Sequence, residues 1–299
     1  MAEPTTPTHL PPSALGTKEY WDNLYNVELS NHASNPSDTG TVWFDDSDAE
    51  SKMVQFLDAR AHSGVSSALD PQTARVLDLG CGNGSLLFAL RDEGWRGRLM
   101  GVDYSERSVE LARRVGISRG LLGRRRSGED GEWEEQEQEK QQQEEEEEEE
   151  DGASSNEVEF RVWDVLAGSL DDVRASPAST TTTEEDGKEE GDCAGWDLVL
   201  DKGTFDAVSL SDEKDGQGRR ICEGYGERVL QLLRVGGIFL VTSCNWTETE
   251  LREWFESKTR AVEGGAKLKM AGRIEYPCFS FGGVKGQTIS TLCFEKVVA

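Results

Sequence analysis

The chain has three histidines, and its six cysteines are scattered with no C-x-x-C pair. Zinc-ligand spacing is therefore absent, and isolated thiols of this kind point to a reducing compartment. No run approaches the ~18 apolar residues that a membrane span needs. The Pro- and Thr-rich start, Met1 to Ser13, lacks an apolar core and an Arg-rich amphipathic pattern, so no secretory or organelle signal is evident. A basic face is missing as well. The formal charge is −26, which argues against a direct nucleic-acid binder.

That charge is unevenly placed. Glu129 to Asp151 holds fifteen acids and one lysine, including seven consecutive glutamates. A second acidic, Ser/Thr-rich stretch follows before Trp196. Segments so charged and so poor in apolar residues cannot offset the entropy of ordering. They read as low-complexity insertions at about 120–156 and 169–194, with at most a solvated helix over Trp133–Glu150. A loose leader over 1–15 is expected too. Residues 16–299 then form one domain, with roughly 220 residues outside the insertions, enough for a full core.

Apolar periodicity organises the rest. Tyr20, Trp21, Leu24 and Tyr25 lie at helical spacing over Thr17–Tyr25. A helix over about Asp48–Ala61 follows, with Ser47 or Asp48 as its cap. Strands are expected at Arg75–Leu79, Leu99–Val102, Glu157–Val162, Trp196–Leu200 and Gly237–Thr242. The helices between them are Ser85–Glu93, Ser105–Val115, Gly224–Leu233 and Glu248–Lys258, the last opened by the capping-box pattern Thr247-Glu248-Thr249-Glu250. Two more strands near Lys267–Tyr276 and Thr288–Phe294 are joined by a short glycine-containing link, which predicts an antiparallel hairpin at one edge. The whole is an α/β, Rossmann-like, seven-stranded, mostly parallel sheet with helices on both faces.

The chemistry gathers at strand ends. Asp78-Leu79-Gly80-Cys81-Gly82-Asn83-Gly84 closes the first strand, Asp103 the second, and Trp163-Asp164-Val165 follows the third. A glycine turn lets a ligand approach backbone. Three carboxylates in succession suit S-adenosylmethionine, with its ammonium, sulfonium and adenosine. Asp78 would orient the turn and face the ammonium or a bridging water, Asp103 would accept the ribose hydroxyls, and Asp164 would accept from the adenine amino group between Trp163 and Val165. A dinucleotide is the competing ligand, but its pyrophosphate would sit unfavourably beside Asp78. For each acid alone, a helix cap or strand-end turn is the competing role. Cys81 has no paired base and reads as a small filler. No metal is implied.

These motifs resemble the class I, seven-strand methyltransferases. More narrowly, the chain is similar to the eukaryotic elongation factor 1-alpha lysine methyltransferases of the fungal elongation factor methyltransferase 4 type. Tyr20-Trp21-Asp22, Asp38-Thr39-Gly40 with Trp43-Phe44, Gly101-Val102-Asp103-Tyr104-Ser105, and above all Asp201-Lys202-Gly203-Thr204-Phe205-Asp206-Ala207, Thr242-Ser243-Cys244-Asn245-Trp246-Thr247 and Phe279-Ser280-Phe281-Gly282-Gly283 carry the likeness. It spans about Thr17 to Lys296, and the two acidic insertions depart from it. The resemblance implies methylation of a lysine on elongation factor 1-alpha in the cytoplasm, with a monomer favoured and no membrane or direct nucleic-acid partner.

The acceptor side should lie at the end of the fourth strand. Asp201 is expected to contact the lysine ammonium beside the cofactor or to orient its amine, with Thr204 adding a hydroxyl and Phe205 an apolar wall. The alternative is that Asp201 and Thr204 cap the next helix while Phe205 joins the core. Trp43 and Phe44 are expected as a lid or aromatic channel for the lysine stem, with core packing as the alternative. Asn245 and Trp246 should border the same crevice, or else form a turn with a buried tryptophan. A methyltransferase for another protein, a small molecule or a nucleic acid remains a second reading, although the N-P-P-Y/F motif of an amide or base target is absent. A non-catalytic S-adenosylmethionine-binding module is the third.

Overall fold

Strand periodicity of two and helical periodicity of 3.6 produce a layered α/β molecule. A computed structural model describes residues 9–63, 69–122, 157–175, 195–259, 265–277, 279–281, 284–286 and 288–298. The polyglutamate run, the helix expected at Trp133–Glu150 and most of the second insertion lie outside them. Helices α1 (Lys18–Ser34) and α2 (Ala49–His62) precede the alternating part. There β1 (Val76–Leu79), α3 (Ser85–Asp92), β2 (Leu99–Asp103), α4 (Glu106–Ser118), β3 (Val158–Val162) and β4 (Trp196–Lys202) follow in order. Then come α5 (Thr204–Ser209), α6 (Tyr225–Leu232), β5 (Leu233–Ser243), α7 (Glu248–Arg252), β6 (Lys267–Ile274), β7 (Phe279–Phe281), β8 (Val284–Gly286) and β9 (Ser290–Val297).

The main sheet runs β3-β2-β1-β4-β5-β9-β6. The first five strands are parallel, β9 is antiparallel to β5, and β6 is antiparallel to β9. This is the expected seven-stranded sheet with an antiparallel pair at one edge. The expected plain link between the last two strands instead forms a ribbon of its own, β7 paired with β8.

Alternation along each strand divides the core. Val76, Leu99, Leu198 and Ile238 pack with α1 to α4. Leu77, Met100, Val199 and Phe239 pack with α5, α6 and the segment after α7. Successive side chains of a strand face opposite layers, so Asp78 takes the face of Val76 and Asp201 the face of Val199.

Local chemistry sets the ends of the helices. Thr247 and Glu250 form the expected reciprocal capping box at α7. The helix expected through Lys258 changes to a π-helical turn at Glu253–Lys258, which delivers Trp254 and Phe255 to the core. Neither Ser47 nor Asp48 caps α2 through its side chain; Asp48 has a left-handed backbone, φ 51°.

Two segments expected to be loose are packed. Leu170–Val173 is a 3-10 turn whose Val173 is buried, and the Val173 carbonyl accepts from Trp196 Nε1 at 2.9 Å. From His9 onward the leader is docked. Ser13 N–H donates to Leu210 O at 3.1 Å, and Arg220 donates to Leu10 O at 3.2 Å. His9 lies 3.3 Å from Glu223 and stands against Trp254. Sequence composition had no means of showing this strap, because its partners lie about two hundred residues along the chain.

Candidate active site

Between β1 and β4 the strand order reverses, and such a crevice at the carboxyl ends of parallel strands is where α/β sheets hold ligands. Two glycines make the turn after β1 possible. Gly80 has φ +63°, and a Cβ there would fall 2.2 Å from Thr204 Oγ1. Gly82 has φ +56° and faces the Tyr25 hydroxyl, 2.9 Å from where a Cβ would stand. Thr204 Oγ–H donates to Leu79 O at 2.6 Å, joining the end of β1 to the start of α5.

A cavity of about 560 Å³ opens over this junction, a size suited to one nucleoside-sized ligand with room beside it. From the turn, Gly80, Cys81, Gly82 and Asn83 line it. Asp103 and Tyr104 contribute from the end of β2, and Trp163, Asp164 and Val165 from beyond β3. Thr204, Trp43, Phe44 and Asn245 complete the expected residues that the fold brings together.

Asp103 is held by the Ser105 N–H at 2.9 Å, the Ser108 hydroxyl at 2.8 Å and the Gly82 N–H at 3.3 Å. Burial raises its pKa, and these donors oppose the shift. Asp164 accepts from the Leu166 and Ala167 N–H groups through one oxygen. Trp163 anchors its ring through Nε1 to Ser169 O at 2.9 Å, and the Arg228 guanidinium lies 5.4 Å from the ring centre.

Five expected residues do not line the cavity. Asp201 is fully buried because β-alternation turns it toward α6. It accepts from the Tyr225 hydroxyl at 2.6 Å, the Thr204 N–H at 2.8 Å and the Phe205 N–H at 3.0 Å. Its oxygens thus serve the first N–H groups of α5, and the expected direct contact with an acceptor lysine is corrected. Burial pushes its pKa up to about 7, against the Tyr225 hydrogen bond and with the Asp206 charge adding. Phe205 and Trp246 belong to an aromatic cluster with Trp254 and Phe255 rather than to a channel wall. Gly84 presses on Phe160 and Phe88, so it serves helix-to-sheet packing.

Asp78 is 3% exposed and lies behind the turn. Among the described residues none donates a hydrogen bond to its carboxylate; burial raises its pKa and the Lys202 charge opposes that. With Asp103 and Asp164 on the wall and glycines permitting close approach, the donor set fits the ammonium, sulfonium and ribose of S-adenosylmethionine.

Several lining residues escaped the sequence reading. Lys18, Trp21 and Tyr25 of α1 cover one side. Trp21 Nε1 donates to Leu15 O at 2.8 Å and its ring meets Trp43 at 5.3 Å between centres. Lys202 also faces the cavity, donating to Trp43 O at 3.2 Å with Glu50 3.8 Å away. Asp206 lines it as well; the sequence held it in the D-K-G-T-F-D-A segment but assigned it no role. Phe44 has φ 65°, costly for a bulky residue, and its ring lies over Gly203, where a Cβ would come within 3.2 Å.

Residues 72–283 match a family described as a methyltransferase domain. Protein-lysine N-methyltransferase EFM4 of Saccharomyces cerevisiae is 36% identical over 284 residues, spanning 95% of this chain and 95% of the relative. Protein-lysine N-methyltransferase efm4 of Schizosaccharomyces pombe is 34% identical over 96% of this chain and 95% of its own length. EEF1A lysine methyltransferase 2 of Homo sapiens is 27% identical over 96% of this chain and 88% of its own length.

Proposed function

The chain belongs to the methyltransferase-domain family and, within it, with the protein-lysine N-methyltransferases of the EFM4 kind; from that premise we propose that its substrate is a lysine of translation elongation factor 1-alpha, methylated in the cytoplasm. It is an S-adenosylmethionine-dependent protein-lysine N-methyltransferase. The observation that carries the substrate reading is near full-length similarity to relatives named for that factor, over a chain whose cavity sits at the switch point between β1 and β4.

When bound, S-adenosylmethionine supplies an electrophilic methyl, the N–C bond forming as the C–S bond breaks with its electron pair left on sulfur. The turn residues Gly80 to Asn83 with Asp103 and Asp164 are the groups proposed to hold it, Asp78 standing buried at the base of the turn. The protein's own task is the amine. A lysine of pKa about 10.4 is neutral in only about 1 molecule in 2,500 at pH 7, a cost of about 4.6 kcal/mol unless the site desolvates or deprotonates it. Trp43 and Phe44 support the first by presenting apolar surface at the cavity, where water exclusion and alignment lower the barrier.

Incubation with methyl-labelled cofactor and purified elongation factor 1-alpha tests the substrate. Label on a lysine is expected. A folded protein that binds the cofactor yet leaves the factor unlabelled would refute the substrate assignment.

A further inference from the structure

We propose that Asp206 is the carboxylate that receives the ε-ammonium of the acceptor lysine and takes its proton before methyl transfer. This rests on the lysine-methyltransferase reading above and names the residue that would serve it.

Four carboxylates line the cavity: Asp103, Asp164, Asp206 and Glu213. Asp103 is tied to the end of β2 and the glycine turn, and Asp164 to its own turn beyond β3. Both stand on the side assigned to the nucleoside. Glu213 is exposed on the loop after α5. Asp206 alone joins β4 to β5. It lies on the first turn of α5, where its carboxylate accepts from Ser243 Oγ–H and from the Cys244 N–H at 2.8 Å.

The surroundings match the task. Asp206 is 5% exposed, whereas Cys244 and Asn245 beside it are exposed and also line the cavity. A side chain from another protein can therefore enter at this end and meet a carboxylate just inside. Phe44, over Gly203, supplies an apolar wall for the lysine stem. Asp201, the first-choice acid from sequence, is sealed beneath the start of α5 by the Tyr225 hydroxyl and the Thr204 and Phe205 N–H groups.

The proton inventory closes. One lysine N–H proton moves to an Asp206 oxygen, leaving the amine its lone pair for attack on the methyl carbon. Asp206 then returns that proton to solvent through the exposed Cys244–Asn245 mouth. The Ser243 hydroxyl and the Cys244 N–H take two of the carboxylate's about four acceptor positions, and the Cys244 thiol and Asn245 N–H also favour its charged form, so an entering ammonium takes the place of these two weaker partners. Burial raises the pKa of Asp206 while the Ser243 and Cys244 groups restrain it, and a more basic carboxylate accepts a proton more readily. The titratable groups that interact with it are Asp201 on β4 and the Cys244 thiol.

Asp206→Asn is the decisive variant, checked for an unchanged thermal midpoint and cofactor affinity. Its kcat/KM on the protein substrate should fall at least about a hundredfold near pH 7. The loss should shrink as pH rises toward 9.5, because the bulk supplies the neutral amine that Asp206 otherwise generates. Without cofactor, its affinity for the substrate should fall about tenfold, while a substrate with the target lysine changed to Met should bind both proteins equally. A uniform loss at every pH, or activity within threefold of wild type, overturns the inference while leaving the function intact. A wild type inert on any protein lysine overturns both. If Asp206→Asn does not fold, Ser243→Ala keeps the carboxylate and removes one donor; the acidic inflection of kcat/KM should then move upward, and an unmoved inflection overturns the inference.

Discussion

Asp103 and Asp201 show how far a single residue's position decides its chemistry. Both are strand-end carboxylates, but Asp103 borders the cavity and Asp201 is enclosed by Tyr225 and the start of α5. Asp103→Ala should therefore abolish cofactor binding in calorimetry; unchanged affinity would contradict a ribose role. Asp201 has the opposite signature. With a folded pKa of about 7, it holds its proton more tightly folded than unfolded. Its stabilising contribution is complete below about pH 4 and is lost as pH rises through 7. Asp201→Asn keeps a neutral partner for Tyr225, so its stability relative to wild type should improve between about pH 4.5 and 8 by up to about 4 kcal/mol, read by urea titration. A difference that stays constant with pH would mean that Asp201 is already charged in the folded protein at low pH. The run Leu198-Val199-Leu200 is apolar on both faces, so the sequence marked β4 as a buried strand without showing which face Asp201 takes.

At the scale of elements, the strands and the capping box were legible because apolar alternation and the Thr247–Glu250 pair act locally. The strap from His9 to Gly16 was not, because nothing periodic marks it and its contacts are distant in sequence. The π-helical turn after α7 was hidden for a different reason: helical spacing does not distinguish a widened turn until Trp254 and Phe255 must both reach the core. Gly16 is where the strap is tightest. A Cβ there would fall 2.2 Å from the Leu210 carbonyl carbon, and that backbone cannot give way cheaply. Gly16→Ala should lift Leu15 and Gly16 from the cavity wall, weakening cofactor binding about tenfold, or about 1.4 kcal/mol, and exposing the strap to proteolysis before Thr17. Cofactor affinity and cleavage rate equal to wild type would show that the strap plays no part in the site.

For the whole molecule, the formal charge of −26 overstates the acidity of the rest of the chain, since the run from Glu129 to Asp151 carries fifteen of the 58 acids. Its composition cannot build a core, and we propose that it is an insertion outside the catalytic unit. Replacing residues 123–156 with a short Gly/Ser linker should leave cofactor affinity within about threefold and the thermal midpoint within a few degrees, since loop length costs little. Loss of cofactor binding on deletion would assign the segment to the catalytic unit. The sheet order itself was readable as far as its class, seven strands with an antiparallel edge. The placement of α1 and the strap over the cavity was not, because it depends on the assembled surface.

The strap also bears on how the protein is made. A ribosome delivers His9 to Gly16 long before Leu210 and Arg220, the groups on which that segment rests. During synthesis the early segment has no seat, and the cavity lacks one wall until the second half of the chain has emerged. Catalytic competence is thus acquired late in biogenesis, and a nascent chain stalled before residue 210 carries the glycine turn without the enclosure that would let it act.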